Sequence, residues 1–201
     1  MTDTLEILNH MLGVVGESPV SSSSSNHPSA LSAMVTLNRI LKEFQNKGWW
    51  FNRDYSVVLS PNVSGEVIVP AGTLKLDSID LNSTLVRRGT RMYDPVNHTY
   101  NIGYTVTVDL VVQLTVDELP EAAATYMKHK CAYDFYVADD GDSEKANRLL
   151  LEVNNAWAAL QQEELRNTDV NALKRPVSLH LRAGIRQPGQ SYNPNYPGGR
   201  T

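Results

Sequence analysis

Tyr104-Thr105-Val106-Thr107-Val108-Asp109-Leu110-Val111-Val112-Gln113-Leu114 is the stretch on which the fold turns. Its period is two: Tyr104, Val106, Val108, Leu110, Val112 and Leu114 fall on one face, and Thr105, Thr107, Asp109 and Gln113 on the other. That is a strand with one buried face and one face left to water or a partner. Directly after it, Asp117-Glu118-Leu119-Pro120-Glu121 turns the chain into a helix, because proline fits the first turn and carboxylates there complement the helix dipole.

Upstream, from Phe51, short runs of period two (55 to 59, 66 to 69, 74 to 81, 84 to 88) are broken by Pro61, Gly65, Pro70, Gly72 and Gly89. Residues 51–115 therefore read as a small antiparallel sheet inserted between helical segments. Before it, Leu5, Leu8, Met11, Leu12 and Val15 mark a short amphipathic helix with Thr4 as N-cap and Gly16 as stop. Ser18 to Ser29, with five consecutive serines, reads as a mobile connector. A second helix from Ser29 to Lys47 carries Leu31, Met34, Leu37, Leu41 and Phe44 on one stripe, and Gly48 supplies its left-handed exit. Trp49, Trp50 and Phe51 follow at once; they cannot all point inward from one strand, so one is expected beneath the helix and another against a neighbouring subunit.

Downstream, a third helix runs to about Ala138, and 139–143 is a turn with its own cap. A fourth helix places Ala146, Leu149, Leu150, Val153, Trp157 and Leu160 on one stripe. The expected fold is α+β: an antiparallel four-helix bundle (1–50 and 116–170), the inserted β-domain, and an extended C-terminal arm from 171 to 201. From Pro188 onward prolines and glycines are interspersed with Tyr192 and Tyr196, a composition that stays extended until bound.

With 201 residues, 41% hydrophobic and 20% charged, the chain can bury a real core. Its N-terminus lacks the basic-then-apolar layout of a signal peptide, and no apolar run reaches the ~20 residues a bilayer crossing needs, so no membrane is expected and a cytoplasm is its expected place of synthesis. The single Cys131 allows neither an internal disulfide nor a thiolate metal cluster. The net charge of -4 is uneven: all 22 acidic residues precede position 171, whereas Lys174, Arg175, Arg182, Arg186 and Arg200 follow it. Such segregation argues against nucleic-acid binding by the body and for a tail that seeks an acidic or polar surface.

Five stretches in this order resemble tail tubular protein A, the head-to-tail adaptor family of short-tailed bacteriophages (podoviruses). They are Leu8-Asn9 through Gly16-Glu17-Ser18-Pro19-Val20, Asn46-Lys47-Gly48-Trp49-Trp50-Phe51-Asn52, Arg88-Gly89-Thr90-Arg91-Met92-Tyr93-Asp94, Asp117-Glu118-Leu119-Pro120-Glu121 and Gln162-Glu163-Glu164. The resemblance covers about residues 5 to 170. It implies a structural virion protein assembled in the host cytoplasm: a dodecameric ring between the portal protein and the tail nozzle protein (tail tubular protein B). Double-stranded DNA would pass through the lumen unbound during ejection.

On that footing the arm, through Lys174, Arg175, Arg182, Arg186, Tyr192 and Tyr196, is the expected portal anchor. Arg87, Arg88 and Arg91 form the expected contact with the nozzle or with tail fibres. An acidic lumen would let DNA slide, where many Lys and Arg contacts would hold it.

Chemistry is expected to be absent: no catalytic residue, no cofactor and no metal. No two of His10, His27, His98, His129 and His180 stand at i, i+4, so His129 reads as a solvated helix face. The acidic turn at 139–142 has its glycine misplaced for a calcium loop. Cys131 reads as a small buried hydrophobe. The alternative is a tail component that binds glycans on Trp49 and Trp50 or degrades them with Asp117 and Glu121.

Overall fold

The computed structural model describes residues 2–80, 83–139 and 141–174, with side chains up to residue 168. Its first helix, α1 (Thr4–Val14), is capped by Asp3, whose side chain accepts the Glu6 N–H at 2.7 Å. The cap thus lies one residue before Thr4, because Thr4 already has helical backbone. Gly16, at φ +80, closes the helix as its sequence promised. The connector that follows is exposed and irregular, yet Asn9 pins it by donating to the Val20 carbonyl at 3.0 Å and accepting its N–H at 2.8 Å.

Helix α2 (Pro28–Gln45) buries Ala30, Ala33, Leu37, Ile40 and Leu41. Leu31 was expected inside and is instead 52% exposed. Ala30 and Ala33 take the inward face and allow close approach of neighbouring backbones, which turns Leu31 outward. Helix α3 (Glu121–Ala138) and α1 and α2 all pack against one another. Helix α4 (Ser143–Lys174) presents Leu149, Val153, Ala156 and Leu160, a 4-3-4 spacing, as its buried stripe. Trp157 sits half-buried at the edge of that stripe, and Leu150, expected within it, is 37% exposed.

The sheet is antiparallel with strand order β1 (Arg53–Leu59), β5 (Val106–Val112), β2 (Thr73–Ser78). Strand β5 is the central strand, with Val106, Val108 and Leu110 buried, as the alternation predicts. Two details differ. Tyr104 lies before the strand and is 58% exposed, and Val111, on the opposite face, is 6% exposed. That second face is therefore not wholly wet: the position of a Cβ on Gly48 would lie 2.9 Å from Val111 Cγ2, so the exit of α2 rests there. Gly48 needs its φ of +76 and its missing side chain together.

Strands β3 (Val86–Arg88) and β4 (Arg91–Tyr93) form a separate hairpin. Gly89 occupies the first turn position at φ +63, which the two-residue hairpin turn requires. The segment expected as a strand at 66–69 makes only isolated bridges, Glu66 to Asn101, Val67 to Pro61 and Ile68 to Arg91.

One core of apolar side chains lies among the helices and includes Trp49; another, with Leu59, Val67, Val69 and Met92, underlies the sheet. Both belong to one compact unit, Met1–Glu164. The second unit begins at Leu165 and, among the described residues, consists of helix as far as Lys174. Of the expected arm, 175–201 lies outside the described residues, as do Arg175, Arg182, Arg186, Tyr192 and Tyr196.

Candidate functional site

The join between α2 and the sheet is held by buried side-chain amides. Gln45, fully buried, uses both ends of its amide on Leu114, donating to the carbonyl at 2.8 Å and accepting the N–H at 2.7 Å. Asn52, 1% exposed, accepts the Trp49 N–H at 2.8 Å and donates to the carbonyls of Gln45 and Val112 at 3.0 and 2.9 Å. Two side chains thereby replace the backbone partners that the end of a helix and the end of a strand would lack.

The aromatic run belongs to this join. Trp49, Trp50 and Phe51 lie in a turn rather than on a strand, so the alternation that forbids three inward rings does not apply. Trp49 is fully buried, its indole N–H donating to the Phe44 carbonyl at 2.9 Å, while Trp50 and Phe51 pack half-buried against the same core. Trp49 is thus unavailable as a glycan platform.

Of the two acids proposed for glycan cleavage, Asp117 is exposed, while Glu121 and the neighbouring Glu118 have structural partners. Glu118 closes a capping box, accepting the Thr115 N–H at 2.8 Å and its hydroxyl at 2.9 Å. Glu121 accepts the Thr2 hydroxyl at 2.8 Å and the Thr2 N–H at 3.2 Å, tying the start of the chain to α3. The Thr2 hydroxyl and N–H hold the Glu121 carboxyl below its ordinary 4.5, the opposite of what a general acid needs. Because the folded value is depressed, the tie stabilises the fold above pH 4.5 and is lost as pH falls through the lower folded value. The stability difference between the wild type and Glu121→Gln, measured by denaturant, is expected at pH 7 and should vanish in strong acid. An equal difference at both would mean that the carboxylate charge does not matter.

Of the arginines expected to meet the nozzle or a fibre, the β3–β4 hairpin brings all three together, with Arg88 and Arg91 directly paired across it. Their surroundings differ. Arg91 is ion-paired to Glu66 at 2.5 Å and lies over Tyr100; Arg88 stacks on Tyr93 with its guanidinium carbon 3.6 Å from the ring centre. Arg87 donates to the Gly89 and Thr73 carbonyls and lines an open groove of about 640 Å³ together with Arg39, Lys42 and Glu43 of α2, where Glu43 is ion-paired to Arg39 at 3.2 Å. The charge pattern of the sequence located the arginines but not these helical cations, which the fold adds.

Lys174 is the last residue of α4, not part of an extended segment. Cys131 is buried, and burial pushes its thiol up to about 12, so it stays protonated and inert as expected. His129 departs from its expected solvated face: with His10 of α1 and Glu152 of α4 it forms a cluster whose potential ligand atoms all lie within 4.8 Å of one another. Sequence spacing missed it because each residue comes from a different helix. No helix among the described residues is long and apolar enough to cross a membrane.

Prominent buried polar groups of the body are spent on joining helix to sheet, and its surface exposes arginines of the β3–β4 hairpin and apolar side chains of α2. The family described as Tail tubular protein matches residues 5–172, and the chain belongs to it, which makes it a structural component of a phage tail. It is also 27% identical over 179 residues to a protein named Tail tubular protein A from Klebsiella phage KP34, covering 89% of this chain and 95% of that protein.

Proposed function

We propose that this chain is the adaptor subunit of a short-tailed phage, closing a dodecameric ring between portal and nozzle around the channel through which the genome leaves. The observation that carries this reading is the match to a tail tubular family along nearly the whole chain, joined to a body in which acids outnumber bases. An acidic channel wall repels phosphates and lets DNA slide. Leu31 and Val35, one turn apart on α2 and 52% and 71% exposed, offer apolar surface for lateral packing. The arm from residue 171, with Lys174, Arg175, Arg182, Arg186, Tyr192 and Tyr196, is the portal anchor in this reading. The hairpin with Arg87, Arg88 and Arg91, extended by Arg39 and Lys42, receives an acidic segment of the nozzle or a fibre.

The test mixes the full chain with portal rings and follows ring formation and nozzle recruitment by electron microscopy and binding. Deleting 172–201 is expected to weaken portal binding by about tenfold or more, the loss of roughly 1.4 kcal/mol per decade. Reversing the charges of Arg87, Arg88 and Arg91 should leave the ring intact and reduce nozzle recruitment together with its salt dependence. Undiminished portal docking by the truncated chain sinks the arm as anchor. Failure of ring closure in the charge-reversed chain moves the hairpin to the subunit contact.

A further inference from the structure

We propose that His10, His129 and Glu152 form a binding site for a divalent transition-metal ion of the zinc class, which clamps α4 to α1 and α3. The site is independent of the adaptor reading and draws on none of the surfaces invoked there.

The geometry carries it. His10 lies on α1, His129 on α3 and Glu152 on α4, and the ligand atoms of all three lie within 4.8 Å of one another. The two imidazoles meet edge to face with ring centres 5.8 Å apart, and His129 Nδ1 is 3.0 Å from Glu152 Oε2. His10 Nε2 is buried and has no hydrogen-bond partner. A buried ring nitrogen without a partner is costly, and a bond to a metal ion would satisfy it.

The chemistry fits one class of ligand. Two imidazoles and a carboxylate form the mixed nitrogen and oxygen set that suits zinc, cobalt or nickel, whereas calcium and magnesium prefer oxygen alone. Bonds of about 2.0 to 2.1 Å place tetrahedral ligand atoms roughly 3.3 Å apart, so the triad must contract by about 1.5 Å at its widest. Glu152, whose side chain is 51% exposed, has room to swing inward and leaves an entry path. The Lys128 ammonium is engaged by Glu6 at 3.0 Å.

The consequence is mechanical. Val153, next to Glu152, is part of the stripe by which α4 packs, and a metal at Glu152 would fix that stripe against both other helices.

The test uses tag-free, full-length chain stripped with a chelator, titrated with Co²⁺ for its visible spectrum and with Zn²⁺ by calorimetry. The expected result is saturable binding of a single ion per chain and a Tm raised by on the order of 5 to 10 °C at hundredfold excess over Kd. Glu152→Gln and His10→Gln should each weaken binding by about tenfold or more, while His27→Gln should leave it unchanged. Glu152 is on the surface, so its variant keeps the fold and separates ligation from stability. Absence of saturable binding, or binding that survives Glu152→Gln or His10→Gln, overturns the proposal.

Discussion

Replacing Trp49 by alanine is expected to cost about 3 to 5 kcal/mol of folding stability, the range for a large aromatic removed from a core. The indole is fully buried, stacked on Phe51 at 6.3 Å and met edge-on by Trp157 at 5.5 Å, with Phe44 at 4.9 Å. Lys47 Nζ lies 3.7 Å from the centre of the Trp49 ring. Its loss leaves a cavity ringed by aromatics too rigid to collapse into it, and frees the Phe44 carbonyl from its N–H partner. Against a total of about 5 to 15 kcal/mol for a domain, that brings the fold near its limit. Trp49→Phe keeps most of the packing and loses only the N–H, so about 1 to 2 kcal/mol is expected. Urea unfolding with an unchanged slope measures both. A cost for Trp49→Ala below about 1 kcal/mol would show that these rings are not what holds the helices to the sheet.

Asn52→Ala is expected to be comparably severe, about 3 to 4 kcal/mol, although it removes far fewer atoms. Its amide links three backbone groups: the Trp49 N–H, the Gln45 carbonyl and the Val112 carbonyl. Alanine at this position would strip the Trp49 N–H of its acceptor and take a donor from each carbonyl, leaving the Gln45 carbonyl only the Gly48 N–H at 3.0 Å, at a site too closed for water to enter freely. Asn52→Asp keeps the acceptor, loses both donors and buries a charge, so it should be worse still. A double-mutant cycle with Gln45→Ala should return a coupling of roughly 0.5 to 3 kcal/mol, because Asn52 holds the carbonyl of the residue whose side chain holds Leu114. Additive costs would mean that the two amides act separately.

Much of the fold was legible because it rests on periodicity. The alternation of β5 and the Pro120 start of α3 emerge where residue spacing places them, and Gly16 and Gly48 adopt the left-handed backbone that ends α1 and α2. The departures share a cause, which is that a pattern gives a face but not its neighbour. Leu31 and Leu150 match a stripe by spacing, yet Ala30, Ala33 and Ala156 are the residues whose small size lets the helices approach. Tyr104 continues the alternation of β5 after its partner strands have ended.

The candidate sites divide in the same way. The arginine hairpin was readable from local charge and a glycine turn, while Arg39 and Lys42 reach it only through folding. Gln45 and Asn52 carry no sequence mark that distinguishes a buried amide from a surface one. His10, His129 and Glu152 come from distant positions, and no spacing rule reaches across three helices.

Among the described residues β1 and β2 are the edge strands of the sheet, and an edge strand is a template on which a second copy could add a strand. Both are interrupted. On β1 the pairing register slips between Asp54 and Val57, where Ser56 takes the left-handed backbone at φ 56 and its N–H is drawn to Asp109 Oδ1 at 2.9 Å. On β2 the Thr73 carbonyl is already occupied by the Arg87 guanidinium at 2.5 Å. Interrupted in this way, neither margin offers a long run of open backbone to a second copy, which leaves association to surfaces that side chains define.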